Sequence, residues 1–248
     1  MRKQSRLVKQ ILLWSMTAVI ALSSFGCSAK EETPPTTLWM NATYAVLTEL
    51  NGQSYTQFGG VPANDRNKEM QIASLKEWWN VSDRASADEN MQWILDEGHR
   101  SDFALTMQQL EEYGASELTE AELNGYFLEL GSEADEAQYL AKAYQDYKKH
   151  GATAIDAWDY SRAMSLYSWY YIAGYYTEQE ALDKSLELAQ VIQTKFASWD
   201  EFMDSYLRGY EYWSYESADE RRGVYEDIKT RKDSPYQVDW NLTLEKSW

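Results

Sequence analysis

The feature that most constrains the fold is a long stretch without proline, from just after Pro62 to just before Pro235. Proline interrupts helices because it lacks an amide hydrogen and its ring clashes with the preceding turn, so its absence permits long helices. Valine and isoleucine are sparse here, and the alternation of apolar and polar residues that marks a strand is nearly absent. The stretch therefore predicts an all-α fold.

Helix boundaries are marked along the same stretch. Five capping boxes, each a hydroxyl residue followed three positions later by glutamate, stand at predicted helix starts: Ser86 with Glu89, Thr119 with Glu122, Thr177 with Glu180, Ser198 with Glu201, and Ser217 with Glu220. Glycines suited to the left-handed turn after a helix follow at Gly98, Gly114, Gly131, Gly151 and Gly174.

These signals predict one compact multi-helix bundle over residues 39–248, since no linker divides the chain further. Residues 53–64 are predicted to be irregular, and residues 233–248 to form a short extended tail held by Pro235, Trp240 and Trp248. Ten helices are predicted, near residues 39–50, 68–79, 83–97, 101–113, 120–130, 133–149, 154–173, 178–196, 199–213 and 218–231.

The first 26 residues have the layout of a secretion signal. An apolar segment of 15 residues, 11–25, is shorter than the roughly 20 that a membrane-spanning helix needs. Four basic residues precede this segment: Arg2, Lys3, Arg6 and Lys9. Gly26 and Cys27 follow it, and residues 1–26 contain no acidic residue.

Cys27 is the only cysteine, so no disulfide can form within the chain. Leu22, Ser24 and Gly26 resemble the lipobox of bacterial lipoproteins, although Phe25 and the polar Ser24 depart from it. We therefore predict a lipid on Cys27, a flexible tether over 27–38, and a membrane partner reached only through the anchor. The expected location is the outer face of the cell membrane, or the outer membrane of a Gram-negative source. An uncleaved anchor and ordinary signal cleavage are the alternatives.

The charge of the chain narrows the range of partners. Removing residues 1–26 takes four of the 23 basic side chains, which leaves 19 against 40 acidic ones, a formal charge of −21. Such a body would be repelled by nucleic acid and by an anionic bilayer surface. A basic protein or peptide is the partner that this charge favours.

The helix predicted over 154–173 carries aromatic residues on several faces, within a chain of 11 tryptophans and 19 tyrosines. The simplest interpretation is that it is the buried central helix of the bundle. The alternative is that some of these rings, Trp158 and Trp169 among them, are exposed together as a platform that stacks on sugar rings or on a peptide.

Two polar clusters are the candidates for a site. The first combines Glu97, His99 and Arg100 around a glycine. The second comprises Asp156, Asp159 and Arg162 on the aromatic helix, where Asp159 and Arg162 are three residues apart and share a face. In the structural interpretation, His99 and Arg100 bond free helix-end carbonyls and Asp159 pairs with Arg162. In the functional one the clusters meet: Asp159 orients His99, Glu97 acts as acid or base, and an arginine binds an anionic group.

No recognised motif supplies a cofactor or a metal. His150 is the only other histidine and is typical of a cationic helix end, so no zinc spacing exists. Loops that cradle phosphates or bind calcium, nucleophile elbows and dinucleotide fingerprints are also missing from the sequence. We therefore expect neither a metal nor a cofactor.

The two clusters also carry a family resemblance. Gly98-His99-Arg100 and Ala157-Trp158-Asp159-Tyr160-Ser161-Arg162 resemble the Gly-His-Arg turn and the Ala-Trp-Asp-x-x-Arg helix of bacterial family 1266 of the domains of unknown function. The resemblance extends roughly from Trp39 to Leu244. It implies a helical domain with these polar residues in fixed places, and it implies no reaction, cofactor or substrate.

Three functions from different classes are consistent with the sequence. The first is a non-enzymatic envelope lipoprotein that binds a protein or peptide through an acidic, aromatic-rich domain, with Arg100, Arg162, Trp158 and Trp169 as binding residues. The second is a cell-wall glycan or peptide hydrolase that uses Glu97, His99 and Asp159. The third is a purely structural envelope component.

We expect replacement of Cys27 by serine to release the domain from membranes or to leave its precursor unprocessed, because the acyl chain would lose its attachment atom. Membrane fractionation with electrophoretic sizing measures both outcomes. A Cys27→Ser protein that stays on membranes at the mature size would contradict lipid attachment.

Overall fold

The computed structural model describes residues 33–248. The predicted signal segment, Cys27 and the first part of the predicted tether lie outside these residues. The described chain contains eleven α-helices and no strand. They are α1 (Pro35–Ala42), α2 (Ala45–Leu50), α3 (Asp65–Trp79), α4 (Arg84–Asp96), α5 (Gly98–Glu112), α6 (Glu120–Glu129), α7 (Ala134–His150), α8 (Asp156–Ala173), α9 (Glu178–Lys195), α10 (Trp199–Ser214) and α11 (Asp219–Thr230).

The all-α prediction is thus confirmed, and the largest differences lie at the first predicted helix. The segment predicted as one helix over 39–50 forms two, α1 and α2, and α1 begins at Pro35, within the predicted tether. Proline fits the first turn of a helix because the amide hydrogen that it lacks has no intrahelical partner there. The tether can therefore extend no further than Pro34.

Three of the five predicted hydroxyl caps are correct: Thr119, Thr177 and Ser198 each accept the amide hydrogen three residues on. Of these three, the structure records the return bond from the glutamate, which completes a capping box, at Thr119 alone. The cap predicted at Ser86 is wrong, because Asp83 caps α4 and the Ser86 hydroxyl accepts the Asp83 amide in return. The cap predicted at Ser217 is also wrong, since α11 begins one residue later, after Ala218.

Helix α8 is the central helix, as its aromatic sequence predicts. Fifteen of its 18 residues are buried, and α3, α4, α5, α9 and α10 pack around it. This arrangement accounts for aromatic side chains on all of its faces, since every face meets another helix. A second, smaller core joins α5, α6 and α7 around Phe103, Leu123 and Tyr144.

The C-terminal tail is held where the sequence predicts. After a short 3₁₀ turn (Pro235–Gln237), the Trp240 ring is buried against Trp39 and Trp199, and its indole donates to the Phe196 carbonyl. The indole of Trp248 donates to Asp183 on α9. No helix of the described residues is long and apolar enough to cross a membrane.

The contact between α8 and α10 depends on Gly209. A Cβ atom at this position would overlap the side chain of Trp158 and closely approach Ile155. Helix α10 can therefore lie against α8 at this point only because residue 209 has no side chain. Gly223 on α11 has open space at the equivalent position.

We expect Gly209→Ala to lower the free energy of unfolding by about 1 to 3 kcal/mol, because overpacking forces the helices apart. Gly223→Ala is the matched control, and we expect it to raise stability by roughly 0.5 to 1 kcal/mol through helix propensity alone. Urea denaturation followed by circular dichroism measures both values. Equal stabilisation by the two substitutions would show that the close approach at Gly209 has no energetic importance.

Candidate functional site

The site begins at the junction of α4 and α5, where no loop separates the two helices. Gly98 makes the junction with a φ of 59°, in the left-handed region that favours glycine. A Cβ at this position would also overlap the carboxylate of Asp159 and press against the Arg100 guanidinium. Both the backbone angle and the crowding therefore require glycine here.

Arg100 joins the end of one helix to the start of the next. Its guanidinium donates to the carbonyl of Ile94 (2.6 Å) and to that of Leu95, both in the last turn of α4. Its backbone amide donates to Asp159 Oδ2 at 2.9 Å. Arg100 thus satisfies free carbonyls of α4 and presents an amide of α5 to a carboxylate on α8.

Asp159 supplies the cap that α5 lacks. No side chain within α5 or at Glu97 caps this helix, and the fully buried Asp159 carboxylate occupies its N-terminus from α8. A negative charge is favoured at this end of a helix, where amide hydrogens lack intrahelical partners. The carboxylate therefore fastens the α4–α5 junction to the central helix.

The electrostatic surroundings keep Asp159 ionised. Burial alone would raise its pKa, but hydrogen bonds from His99 and from the Arg100 amide outweigh burial and hold the pKa below its usual value. A general acid needs a raised pKa and access to substrate. Asp159 has neither, so the geometry favours the structural interpretation of this residue.

His99 lies between Asp159 and Arg162 and connects the two predicted clusters. Its Nδ1 atom is 3.3 Å from Asp159 Oδ1 and 3.0 Å from Arg162 Nη1. One ring nitrogen cannot donate to the carboxylate and accept from the guanidinium at the same time. The side chain is 24 % exposed, and its ring packs edge-on to Trp93, with centroids 5.3 Å apart.

Arg162 is surrounded by tryptophan rings. Its Cζ atom lies 4.4 Å from the ring centre of Trp79, 5.0 Å from that of Trp158 and 5.8 Å from that of Trp213. The ion pair predicted with Asp159 does not form, since among the described residues the guanidinium hydrogen-bonds only to His99. Burial lowers the pKa of Arg162 to about 10, so it stays protonated at neutral pH.

Three tryptophans, one histidine and one arginine thus form a continuous surface, which we call the tryptophan-arginine surface: Trp79, Trp93, Trp213, His99 and Arg162. Trp93 is 37 % exposed and Trp213 is 41 % exposed. The surface draws side chains from α3, α4, α5, α8 and α10. Aromatic rings held beside a guanidinium in this way combine apolar contact area with hydrogen-bond donors.

The other predicted site residues lie near this surface or away from it. Trp158 is buried beneath Arg162, and its indole N–H has no acceptor among the described residues. Trp169 is partly buried against the main core, about three turns beyond Trp158 on α8. Glu97 is exposed at the α4–α5 junction. Neither tryptophan therefore provides the exposed platform that the sequence left open.

Sequence reasoning missed Trp93, which precedes His99 by six residues. Its ring reaches His99 only because the junction at Gly98 turns the chain, and no local periodicity reveals that turn. In residues 33–248 no group of three or more histidine, cysteine, aspartate or glutamate side chains is placed to hold a metal ion.

Comparison with known proteins identifies one relationship. A family model described as "Protein of unknown function (DUF1266)" matches residues 74–240, which include the Gly98 junction, Asp159 and Arg162. No curated protein and no solved structure matches the chain.

We expect Asp159→Asn to lower the free energy of unfolding at neutral pH by about 3 kcal/mol, because it removes a buried charge from its partners. The folded-state pKa is lowered, so this stabilisation is present above the ordinary carboxyl pKa of about 4 and is lost as pH falls through the folded value. The stabilities of wild type and variant should therefore converge in acid. Denaturant unfolding across pH measures the difference.

Glu97→Gln is the control, since it removes an exposed charge at the same junction, where a surface charge contributes little. A constant difference between wild type and Asp159→Asn at all pH values would contradict the role of the ionised carboxylate.

Proposed function

Because the chain belongs to the family described as proteins of unknown function (DUF1266), whose description assigns no activity, we propose a function from geometry: the domain binds a basic protein or peptide through the tryptophan-arginine surface. One observation carries the proposal. Arg162 is a partly buried guanidinium that pairs with no carboxylate among the described residues. Its one hydrogen-bond partner there is His99 Nδ1, which can accept from Arg162 only when it does not donate to Asp159.

The unused donors of Arg162 indicate what the ligand must offer. A guanidinium has five N–H groups, and withdrawing them from water without acceptors costs free energy. The tryptophan rings compensate the charge but accept no strong hydrogen bond. Carbonyl oxygens of a peptide backbone would supply the missing acceptors, and they occur at every residue of an extended segment.

The exposed rings of Trp93 and Trp213 suit the same ligand. Tryptophan, tyrosine and arginine are the residues that most often dominate the binding energy of protein interfaces. Acidic side chains are also exposed on α3, at the end of α4 and at the α4–α5 junction, namely Glu77, Asp96 and Glu97. Together with the net charge of −17, they favour a ligand that carries lysine or arginine.

The proposed setting follows from the N-terminal sequence. A lipid on Cys27 would hold the domain at the outer face of a membrane, and the acidic body would stand away from an anionic bilayer. The surface would then be available to an exported partner. This part of the proposal rests on residues 1–32 and is tested by the Cys27→Ser experiment, independently of ligand binding.

We expect selection from a displayed random peptide library to enrich peptides in which lysine or arginine flanks an apolar or aromatic residue. Their affinity, measured by fluorescence titration, should fall as salt rises, because the attraction between opposite charges is screened. Trp93→Ala and Trp213→Ala should each weaken binding by roughly tenfold or more, the size of an interface hot spot.

Trp78→Ala is the matched control, since Trp78 is 50 % exposed on α3 but makes no ring contact with Arg162 in the described structure. Equal affinity for wild type and for the Trp93 and Trp213 variants would overturn the proposal. Enrichment of acidic peptides that bind more tightly at high salt would also overturn it.

A further inference from the structure

A cleft of about 390 Å³ lies where three helix ends meet one face of α10. The last residue of α7, the first of α8 and the last of α9 supply His150, Asp156 and Lys195. Helix α10 adds Glu201, Asp204 and Arg208. These are spaced three and four residues apart, which is typical of one helix face. None of these residues belongs to the tryptophan-arginine surface. The volume is that of a small-molecule site.

Asp156 is a buried carboxylate with too few partners. Its side chain is 8 % exposed, and among the described residues its one ion pair is with Lys195, at 3.5 Å. Burial raises its pKa, against the opposing charges of Lys195 and Arg100. An ionised carboxylate has about four acceptor positions, so most of those on Asp156 are without a protein donor.

Arg208 is the complementary, basic group in the lining of the same cleft. Its Nε donates to the carbonyl of Ala154 at 2.9 Å, and this is its one hydrogen bond within the described chain. Burial lowers the pKa of Arg208, and the nearby negative charges of Asp146 and Asp204 oppose this shift without a hydrogen bond to the guanidinium. The terminal nitrogens, which can grip a carboxylate with two parallel hydrogen bonds, are therefore without an acceptor.

The remaining acidic groups of the cleft are already engaged. Glu201 accepts the amide hydrogen of Ala197 at 2.6 Å, and Asp204 pairs with Arg222 at 3.1 Å. Asp156 and Arg208 are thus the two charged groups whose bonding capacity is least used. One needs donors and the other needs an acceptor.

We propose that the cleft binds a small zwitterion of amino-acid type, a free amino acid or a dipeptide. Its carboxylate bonds the terminal nitrogens of Arg208, and its ammonium group donates to Asp156 beside Lys195. A ligand with both charges complements both groups at once, whereas a simple anion or cation would leave one of them unmatched. The cleft has room for such a molecule, and the ligand side chain would extend toward its open end.

Isothermal titration calorimetry against individual L-amino acids and the dipeptide Ala-Ala tests the proposal. We expect at least one of them to bind at millimolar concentration or below, and its decarboxylated amine and its deaminated acid to bind roughly tenfold or more weakly. Arg208→Gln and Asp156→Asn should each cause a similar loss. Arg208→Lys keeps the positive charge but cannot form the bidentate pair with a carboxylate, so its affinity should lie between those of wild type and Arg208→Gln.

Arg84→Gln is the control variant, because Arg84 is an exposed arginine whose partners, Asp88 and Glu180, do not line the cleft, and it should retain binding. Circular dichroism confirms that each variant is folded. Absence of binding by every amino acid and by Ala-Ala to the folded wild type would overturn the proposal, as would equal affinity for the deaminated acid. Binding of peptides at the tryptophan-arginine surface is unaffected by either outcome, so the two proposals fail separately.

Discussion

The buried carboxylate of Asp159 is the interaction on which the arrangement of the site depends. It lies on the central helix α8 but bonds the first amides of α5, a helix without a cap of its own. Replacing the hydration of a carboxylate requires several hydrogen bonds, and the α4–α5 junction supplies them only in one orientation. Gly98 is needed because the carboxylate and the Arg100 guanidinium occupy the space of a side chain. The Gly-His-Arg turn and the Ala-Trp-Asp-x-x-Arg helix are thus two halves of one contact.

This contact has consequences beyond stability. Once Asp159 holds the junction, His99 is placed beside Arg162, and Trp93 is placed beside His99. Trp158, one turn before Arg162 on α8, packs against Gly209, which brings Trp213 of α10 over the same guanidinium. The tryptophan-arginine surface is therefore assembled by the packing of both α5 and α10 against α8. We infer that a substitution at Asp159 or Gly209 would disturb the proposed ligand binding, although neither residue belongs to the tryptophan-arginine surface.

The sequence was informative wherever the determining interaction is local. Thr119, Thr177 and Ser198 cap helices because each bonds an amide only three residues away, and the aromatic sequence of α8 identifies it as central. The cap predicted at Ser86 was wrong because Asp83, three residues earlier, is also a favourable cap residue and is the one that caps α4. The cap of α5 could not be foreseen, since Asp159 is sixty residues further along the chain from His99. The cleft was missed for the same reason: Asp156, Lys195 and Arg208 meet only when three helix ends reach α10.

The distribution of unsatisfied charge links the two proposals. In a chain with 40 acidic and 23 basic side chains, every arginine has ample opportunity to find a carboxylate, and Arg84, Arg222 and Arg231 do so at the surface. Arg162 and Arg208 are more withdrawn from water, where an unpaired charge costs more, yet neither forms an ion pair within the described chain. Stability alone would favour either pairing these groups or replacing them with apolar residues. Their unpaired state is better explained if each is completed by a ligand, a backbone carbonyl at Arg162 and a carboxylate at Arg208.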